Sequence, residues 1–109
     1  MTDTIEMTEE QRAFKTALDR FRAETQLSVA STAKLLDVNP GSMSKWFKVD
    51  KETGHPRMPQ KYVMDAGMLK LQRLNANDEE TGVYSQLRGM KPGDRVSLLL
   101  AALDARRSS

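Results

Sequence analysis

VASTAKLLDVNPGSMSKW, the sequence of residues 29–46, predicts two short helices joined by a tight turn. Ser28 can cap the first of these helices. Asn39 is a favoured cap for the second, and Pro40 fits its first position, where the missing N–H costs nothing. The second helix is expected to end near residues 46–48, with Met43, Trp46 and Phe47 as its apolar residues.

The apolar residues of this stretch also predict how the two helices pack. Ala33 is small and stands where the helices would cross closely. Leu36, Val38, Met43 and Trp46 are spaced to fill the wedge between them. The positions in between are polar and are expected to face outwards.

Helical signals continue on both sides of the stretch. Thr8 and Gln11 form a capping-box pattern that opens a helix over about residues 9–25. Residues 49–58 are polar and contain Gly54 and Pro56, which indicates a loop that could include a short hairpin. Pro59 is expected to begin a fourth helix, whose apolar stripe is Val63, Met64, Met68, Leu71 and Leu74.

Residues 75–109 add two further helical segments. The helical pattern breaks at residues 75–78, and Asn77 with Glu80 makes a capping pair that predicts a weaker helix over about 78–88. Pro92 and Gly93 indicate a turn over residues 90–94, and a last helix is expected over about 94–106. No strand pattern is evident, so we expect an all-α bundle of five to six helices, divided into residues 8–75 and a helical extension over 76–109.

Composition narrows the function classes. The chain has 109 residues, no cysteine and one histidine, which removes disulfides and thiolate metal sites and leaves no convincing catalytic triad. We therefore expect no enzyme, no metal and no cofactor. The chain shows neither a signal peptide nor an apolar run long enough to cross a bilayer, so a cytoplasmic location without membrane partners is expected. Residues 27–61 contain six Lys/Arg and three Asp/Glu, the most positive part of the chain.

Residues 29–46 resemble the helix-turn-helix of lambda-repressor-like (Cro-type) transcriptional regulators of phage and plasmid type. The resemblance covers about residues 9–74 and includes the loop with Gly54 and Arg57. One residue departs from the pattern: the family's turn usually has Gly where this chain has Asp37, although Asp tolerates a left-handed backbone better than most residues.

The resemblance implies binding to double-stranded DNA through the major groove, with the helix that begins near Pro40 as the recognition helix. Asn39 and Ser42 would bond phosphates or base edges, and Lys45 is the best candidate for contacting guanine. The full set of expected DNA-binding residues is Asn39, Gly41, Ser42, Ser44, Lys45, Lys48, Lys51, Arg57 and Lys61.

The last helix is apolar on more than one side, which favours two packing partners. One face would cover the domain, and the other would pack on a second copy. The expected dimer-interface residues are Val96, Leu99, Leu100 and Leu103. Burial of the whole helix within one subunit is the alternative.

The expected function is therefore a sequence-specific transcriptional regulator, with a homodimeric repressor that binds an inverted repeat as the first hypothesis. Two alternatives remain within DNA binding: a phage-type activator and an antitoxin-like autoregulator. A helical protein-interaction adaptor that does not bind DNA is the alternative from another class. No small-molecule ligand is evident.

Overall fold

The computed structural model describes residues 7–108, except for the side chains of 105–108. Residues 1–6, part of the segment in which no signal peptide was expected, lie outside it. Within these bounds the chain is all-α and compact, and the all-α prediction is confirmed. Its helices are α1 (Glu9–Thr25), α2 (Val29–Leu36), α3 (Pro40–Lys45), α4 (Lys61–Thr81), α5 (Val83–Gln86) and α6 (Pro92–Ser108).

The first two helices begin where their capping residues predict. The Thr8 hydroxyl accepts a hydrogen bond from the Gln11 backbone N–H at 3.1 Å, and the Gln11 side chain accepts one from the Thr8 N–H at 2.9 Å. The Ser28 hydroxyl accepts from the Ser31 N–H at 3.1 Å. These bonds satisfy N–H groups that have no partner inside a helix, and the caps therefore fix where α1 and α2 start.

α4 differs from its prediction at both ends. It begins at Lys61 rather than at Pro59, with Gln60 as its cap residue. It also continues through residues 75–78, where a break was expected, and ends at Thr81, before Gly82, whose φ of 68° is left-handed. The predicted Asn77–Glu80 capping pair is wrong because both residues lie inside α4.

Asp78 caps the next helix instead. Its Oδ1 atom accepts a hydrogen bond from the Tyr84 backbone N–H at 2.8 Å, across the turn at Gly82. The Tyr84 hydroxyl donates to Asn75 Oδ1 at 2.7 Å. The polar residues that suggested a break are thus used to attach α5 to the end of α4.

α6 begins two residues earlier than predicted. Pro92 and Gly93 lie in its first turn rather than in a loop, since proline needs no N–H partner there. Arg95 secures this end of the helix, because its guanidinium donates to the Met90 carbonyl at 3.0 Å and to the Thr25 carbonyl at 2.9 Å. The second bond joins the start of α6 to the end of α1.

One hydrophobic core joins the helices. α1 packs on α4, and α6 packs on both α2 and α4. The buried residues include Phe14, Phe21, Leu71 and Leu99, each no more than 2% exposed. Residue 75, the predicted domain boundary, lies inside α4, so helices from both predicted parts contribute to this core. The core supports α2 from behind and leaves α3 on the outside of the bundle.

Candidate nucleic-acid interface

The connection between α2 and α3 is three residues long, residues 37–39. Asp37 adopts a left-handed backbone, with φ 60° and ψ 46°, and its N–H donates to the carbonyls of Ala33 and Lys34. The Val38 N–H donates to the Ala33 carbonyl at 2.9 Å. A glycine is therefore not required for this turn, because aspartate takes the left-handed conformation.

The two sides of α3 differ sharply. Met43 is 5% exposed and belongs to the core. Trp46, just past the end of α3, is half-buried, and its ring lies 5.8 Å from the ring of Phe14. Ser44 and Lys45 are exposed. The inward residues fix α3 to the bundle, and the outward residues are left for solvent or a ligand.

α3 is shorter than the sequence suggested. Trp46 has an extended backbone, and Phe47 is left-handed with φ 67°. The Phe47 N–H donates to the Arg57 carbonyl at 2.8 Å, and the Arg57 N–H donates to the Lys48 carbonyl at 3.1 Å. The helix ends at Lys45 because the backbone of the next residues turns to pair with Arg57.

Asn39 is used as the cap of α3. Its Oδ1 atom accepts hydrogen bonds from the N–H groups of Gly41 at 2.8 Å and Ser42 at 3.2 Å. These N–H groups therefore already have a partner within the protein. The Ser44 hydroxyl donates to the Gly41 carbonyl at 2.8 Å. Among the described residues, the Asn39 amide N–H₂ and the Ser42 hydroxyl have no partner and remain as donors at this end of α3.

Lys48 and Lys51 lie in the loop after α3, and both are exposed. Arg57 is also exposed, but its guanidinium is ion-paired with Asp50. The N–H of Glu52 and the guanidinium of Arg57 both bond to the Asp50 carboxylate, and together they lower its pKa. Asp50 is therefore ionised at neutral pH, and Arg57 stands beside a fixed negative charge.

Lys61 is the most heavily compensated of the predicted contacts. Its ammonium lies 3.1 Å from a Glu10 carboxylate oxygen and 3.3 Å from an Asp65 carboxylate oxygen. These hydrogen bonds raise the pKa of Lys61, first through Glu10 and then through Asp65. Lys61 thus joins α1 to the start of α4, and a phosphate would have to compete with two carboxylates for it.

Two open grooves run beside α3. The larger, of about 630 Å³, lies between α3 and the start of α4 and includes Asn39, Ser42 and Tyr62. The smaller, of about 400 Å³, lies between the end of α3 and the loop and includes Lys48 and Lys51. Lys45 and Arg57 line both grooves. Gly41 also lines the larger groove. All the predicted DNA-binding residues except Ser44 and Lys61 therefore line one or both of these adjoining grooves.

Gln60 and Tyr62 are groove residues that the sequence interpretation missed. Gln60 is exposed and makes no capping hydrogen bond with its side chain. Tyr62 is 71% exposed. One signal was available for Tyr62, since it is an aromatic residue that falls outside the apolar stripe of α4.

The predicted dimer-interface residues divide into two groups. Val96, Leu99 and Leu103 are 3%, 0% and 7% exposed and belong to the core of a single chain. Leu100 is 39% exposed. The assignment of the first three to an interface is corrected, because α2 and α4 already cover the face of α6 that carries them.

Comparison with known proteins adds no relative: no protein-family model, no curated protein and no solved structure matches this chain. Among residues 7–108, no helix combines the length and apolar character needed to span a membrane. Within the same residues, no group of three or more His, Asp or Glu side chains is placed to bind a metal ion.

Proposed function

We propose that this protein is a sequence-specific DNA-binding transcriptional regulator in which α2 and α3 form a helix-turn-helix and α3 enters the major groove. We further propose that it acts as a homodimer on an inverted-repeat operator, and that it is a repressor. The class of protein is thus a small helical regulator of the kind that residues 29–46 resemble.

The observation that carries the proposal is the outward side of α3. Ser42, Ser44 and Lys45 are exposed on a helix whose opposite side is fixed by Met43 and Trp46. A recognition helix needs this combination, because its base contacts must project from a rigid support. The exposed side is polar, as recognition of base edges requires.

Lys45 has the chemistry to select a base. Its ammonium can donate to O6 and N7 of guanine, which are the acceptors that guanine presents in the major groove. Lys45 has no ion-pair partner among the described residues, so no carboxylate competes for it. Ser42 can donate or accept through its hydroxyl and is small enough to let the helix approach the bases.

Lys48 and Lys51 are the phosphate contacts in this proposal. Both are exposed and lie past the end of α3, where they line the smaller groove. Contacts of this kind position a protein on DNA without selecting a sequence. The interface would therefore combine one selective region on α3 with a sequence-independent region on the loop.

Selection of bound sequences from a random pool of double-stranded DNA tests the proposal. We expect enrichment of one short motif, repeated in inverted orientation, because a twofold dimer presents two recognition helices about 34 Å apart. An enriched motif without inverted symmetry would remove the homodimer and keep the DNA-binding function. A pool that stays random would remove the function itself.

The salt dependence of binding separates DNA recognition from a protein-adaptor role. Each phosphate neutralised by Lys or Arg lowers the slope of log K against log salt concentration by about 0.9. Contacts from Lys48 and Lys51 in both subunits would thus give a slope of about −3.6 or steeper. Binding that hardly changes with salt would contradict a phosphate-contacting interface.

A further inference from the structure

Asp50 is the most fully bonded residue of the loop that follows α3. Its backbone N–H donates to the His55 carbonyl at 2.9 Å, and its carbonyl accepts from the Gly54 N–H at 2.8 Å. Its Oδ1 atom accepts from the Glu52 N–H at 2.7 Å. Its Oδ2 atom accepts two bonds from Arg57, from Nε at 3.1 Å and Nη2 at 2.9 Å.

The ion pair itself is expected to add little to stability. The side chain of Asp50 is 17% exposed, but that of Arg57 is 57% exposed, and an ion pair with an exposed partner contributes little to the free energy of unfolding. The carboxylate also partly cancels the positive charge of a groove whose cations are Lys45, Lys48, Lys51 and Arg57. A negative charge at that place needs another explanation.

The geometry supplies one. Arg57 is the loop residue that lines both grooves, and its backbone is tied to residues 47 and 48. Asp50 adds a second constraint, because bonds from Nε and Nη2 to its Oδ2 atom restrict the orientation of the guanidinium. The Nη1 group and one N–H of Nη2 have no partner among the described residues, so they stay available as donors.

We infer that Asp50 is a positioning residue, which orients the Arg57 guanidinium so that its remaining N–H donors bind one phosphodiester of the DNA backbone where the two grooves meet. The inference rests on the proposed DNA-binding function and adds a specific pair to it. Arginine suits this role because its planar fork can engage a carboxylate and a phosphate at once.

The positioning role predicts a change in DNA affinity opposite to the one that charge alone predicts. Asp50→Asn removes a negative charge near DNA, which by charge alone should tighten binding. The Asn oxygen can still accept the Glu52 N–H, so the turn is preserved. If Asp50 orients Arg57, the variant should instead bind the selected operator at least about tenfold more weakly, the cost of losing one charge-assisted hydrogen bond.

Glu52→Gln is the matched control. Glu52 lines the same groove and carries the same charge, but its side chain makes no bond to Arg57. We expect this variant to bind as tightly as the wild type or more tightly. Equal affinities for the Asp50→Asn and Glu52→Gln variants would overturn the inference.

A double-mutant cycle shows whether Asp50 acts through Arg57. In an Arg57→Ala background, Asp50→Asn should cause no further loss of affinity. The same tenfold loss in that background would assign Asp50 a purely structural role and contradict the inference. Thermal melts monitored by circular dichroism check that every variant is folded.

Arg57→Lys decides the question if Asp50→Asn does not fold. Lysine keeps the charge but cannot bond a carboxylate and a phosphate in one plane. We expect it to bind more weakly than the wild type, although more tightly than Arg57→Ala because its charge is kept. Affinity equal to that of the wild type would overturn the inference. If the wild-type protein binds no DNA, the proposed function fails. If the wild type binds DNA and Asp50→Asn binds it equally tightly, only the positioning role fails.

Discussion

α3 and its following loop contrast with α6, although the sequence marks both as functional. Every residue predicted to contact DNA is exposed. Of the four residues predicted to contact a second copy, only Leu100 is exposed, and Leu99 is completely buried. Residues predicted to contact a partner thus lie on the surface in α3 and its loop, but mostly in the core in α6.

The difference lies in what each residue type needs. Serine and lysine require water or a hydrogen-bond partner, so a polar stretch beside a packed wedge indicates a surface. Leucine needs any apolar neighbour, and α2 and α4 of the same chain provide one for α6. An apolar run therefore predicts burial, but it does not say which chain does the burying.

The largest expected effect comes from placing a charge on each side of α6. Leu99→Asp puts a carboxylate in the core and should lower the free energy of unfolding by more than about 4 kcal/mol. Leu100→Asp, at the neighbouring exposed position, should change it by less than about 1 kcal/mol. Urea denaturation measures both. A Leu99→Asp variant that stays folded as a monomer, where the wild type is a dimer, would restore the interface assignment.

Two helical glycines give a smaller contrast. A Cβ atom at Gly67 in α4 would lie 2.8 Å from Cε1 of the buried Phe14, whereas a Cβ atom at Gly93 in α6 meets nothing within 4 Å. Gly67→Ala should therefore destabilise by about 1–3 kcal/mol through overpacking. Gly93→Ala should stabilise by up to about 1 kcal/mol, since alanine favours helix. Thermal unfolding that ranks the two variants in the opposite order would contradict this packing.

The two tyrosines give the smallest contrast. Burial raises the pKa of Tyr84 above its usual value of 10.0, with Glu24 and Asp78 adding to the effect. Because the pKa of Tyr84 is higher in the folded than in the unfolded state, its neutral side chain makes its full contribution to stability below pH 10. That contribution is lost as the pH rises above 10. Tyr84→Phe should cost about 1 kcal/mol at neutral pH, through the lost bond to Asn75, and should reduce the alkaline loss.

Tyr62→Phe is the control for Tyr84→Phe, because Tyr62 is 71% exposed. It should leave the free energy of unfolding at neutral pH unchanged. Denaturation curves measured between pH 7 and about pH 11 compare the two variants. An unchanged alkaline slope in Tyr84→Phe would show that other groups cause the loss.

The sequence predicted the starts of α1, α2 and α3 correctly, whereas α4, α5 and α6 begin at other residues than expected. Thr8, Ser28 and Asn39 act through bonds to residues two or three positions away, so the local sequence contains the whole signal. α4 continues through residues 75–78, where Asp78 and Asn75 bond to Tyr84, six and nine positions further along the chain. A local pattern of polar residues does not show whether they end the helix in which they lie or bond to the helix that follows.

The same limit applies to the candidate site. Ser42, Lys45 and Lys48 could be found because they belong to one short motif. The Asp50–Arg57 pair joins residues seven positions apart across a loop, and its geometry depends on the backbone pairing of residues 47 and 48 with Arg57. Irregular loops have no periodicity, so only the structure shows this pair.

Lys45→Ala tests the central claim most directly, with Lys91→Ala as the control for loss of one exposed lysine outside both grooves. Binding of each variant is measured on the selected operator and on unrelated DNA. Lys45→Ala should weaken operator binding by about 1–3 kcal/mol, with a much smaller effect on unrelated DNA, and Lys91→Ala should leave both nearly unchanged. Equal losses for Lys45→Ala on the two DNAs, or no loss on either, would contradict recognition of bases by α3.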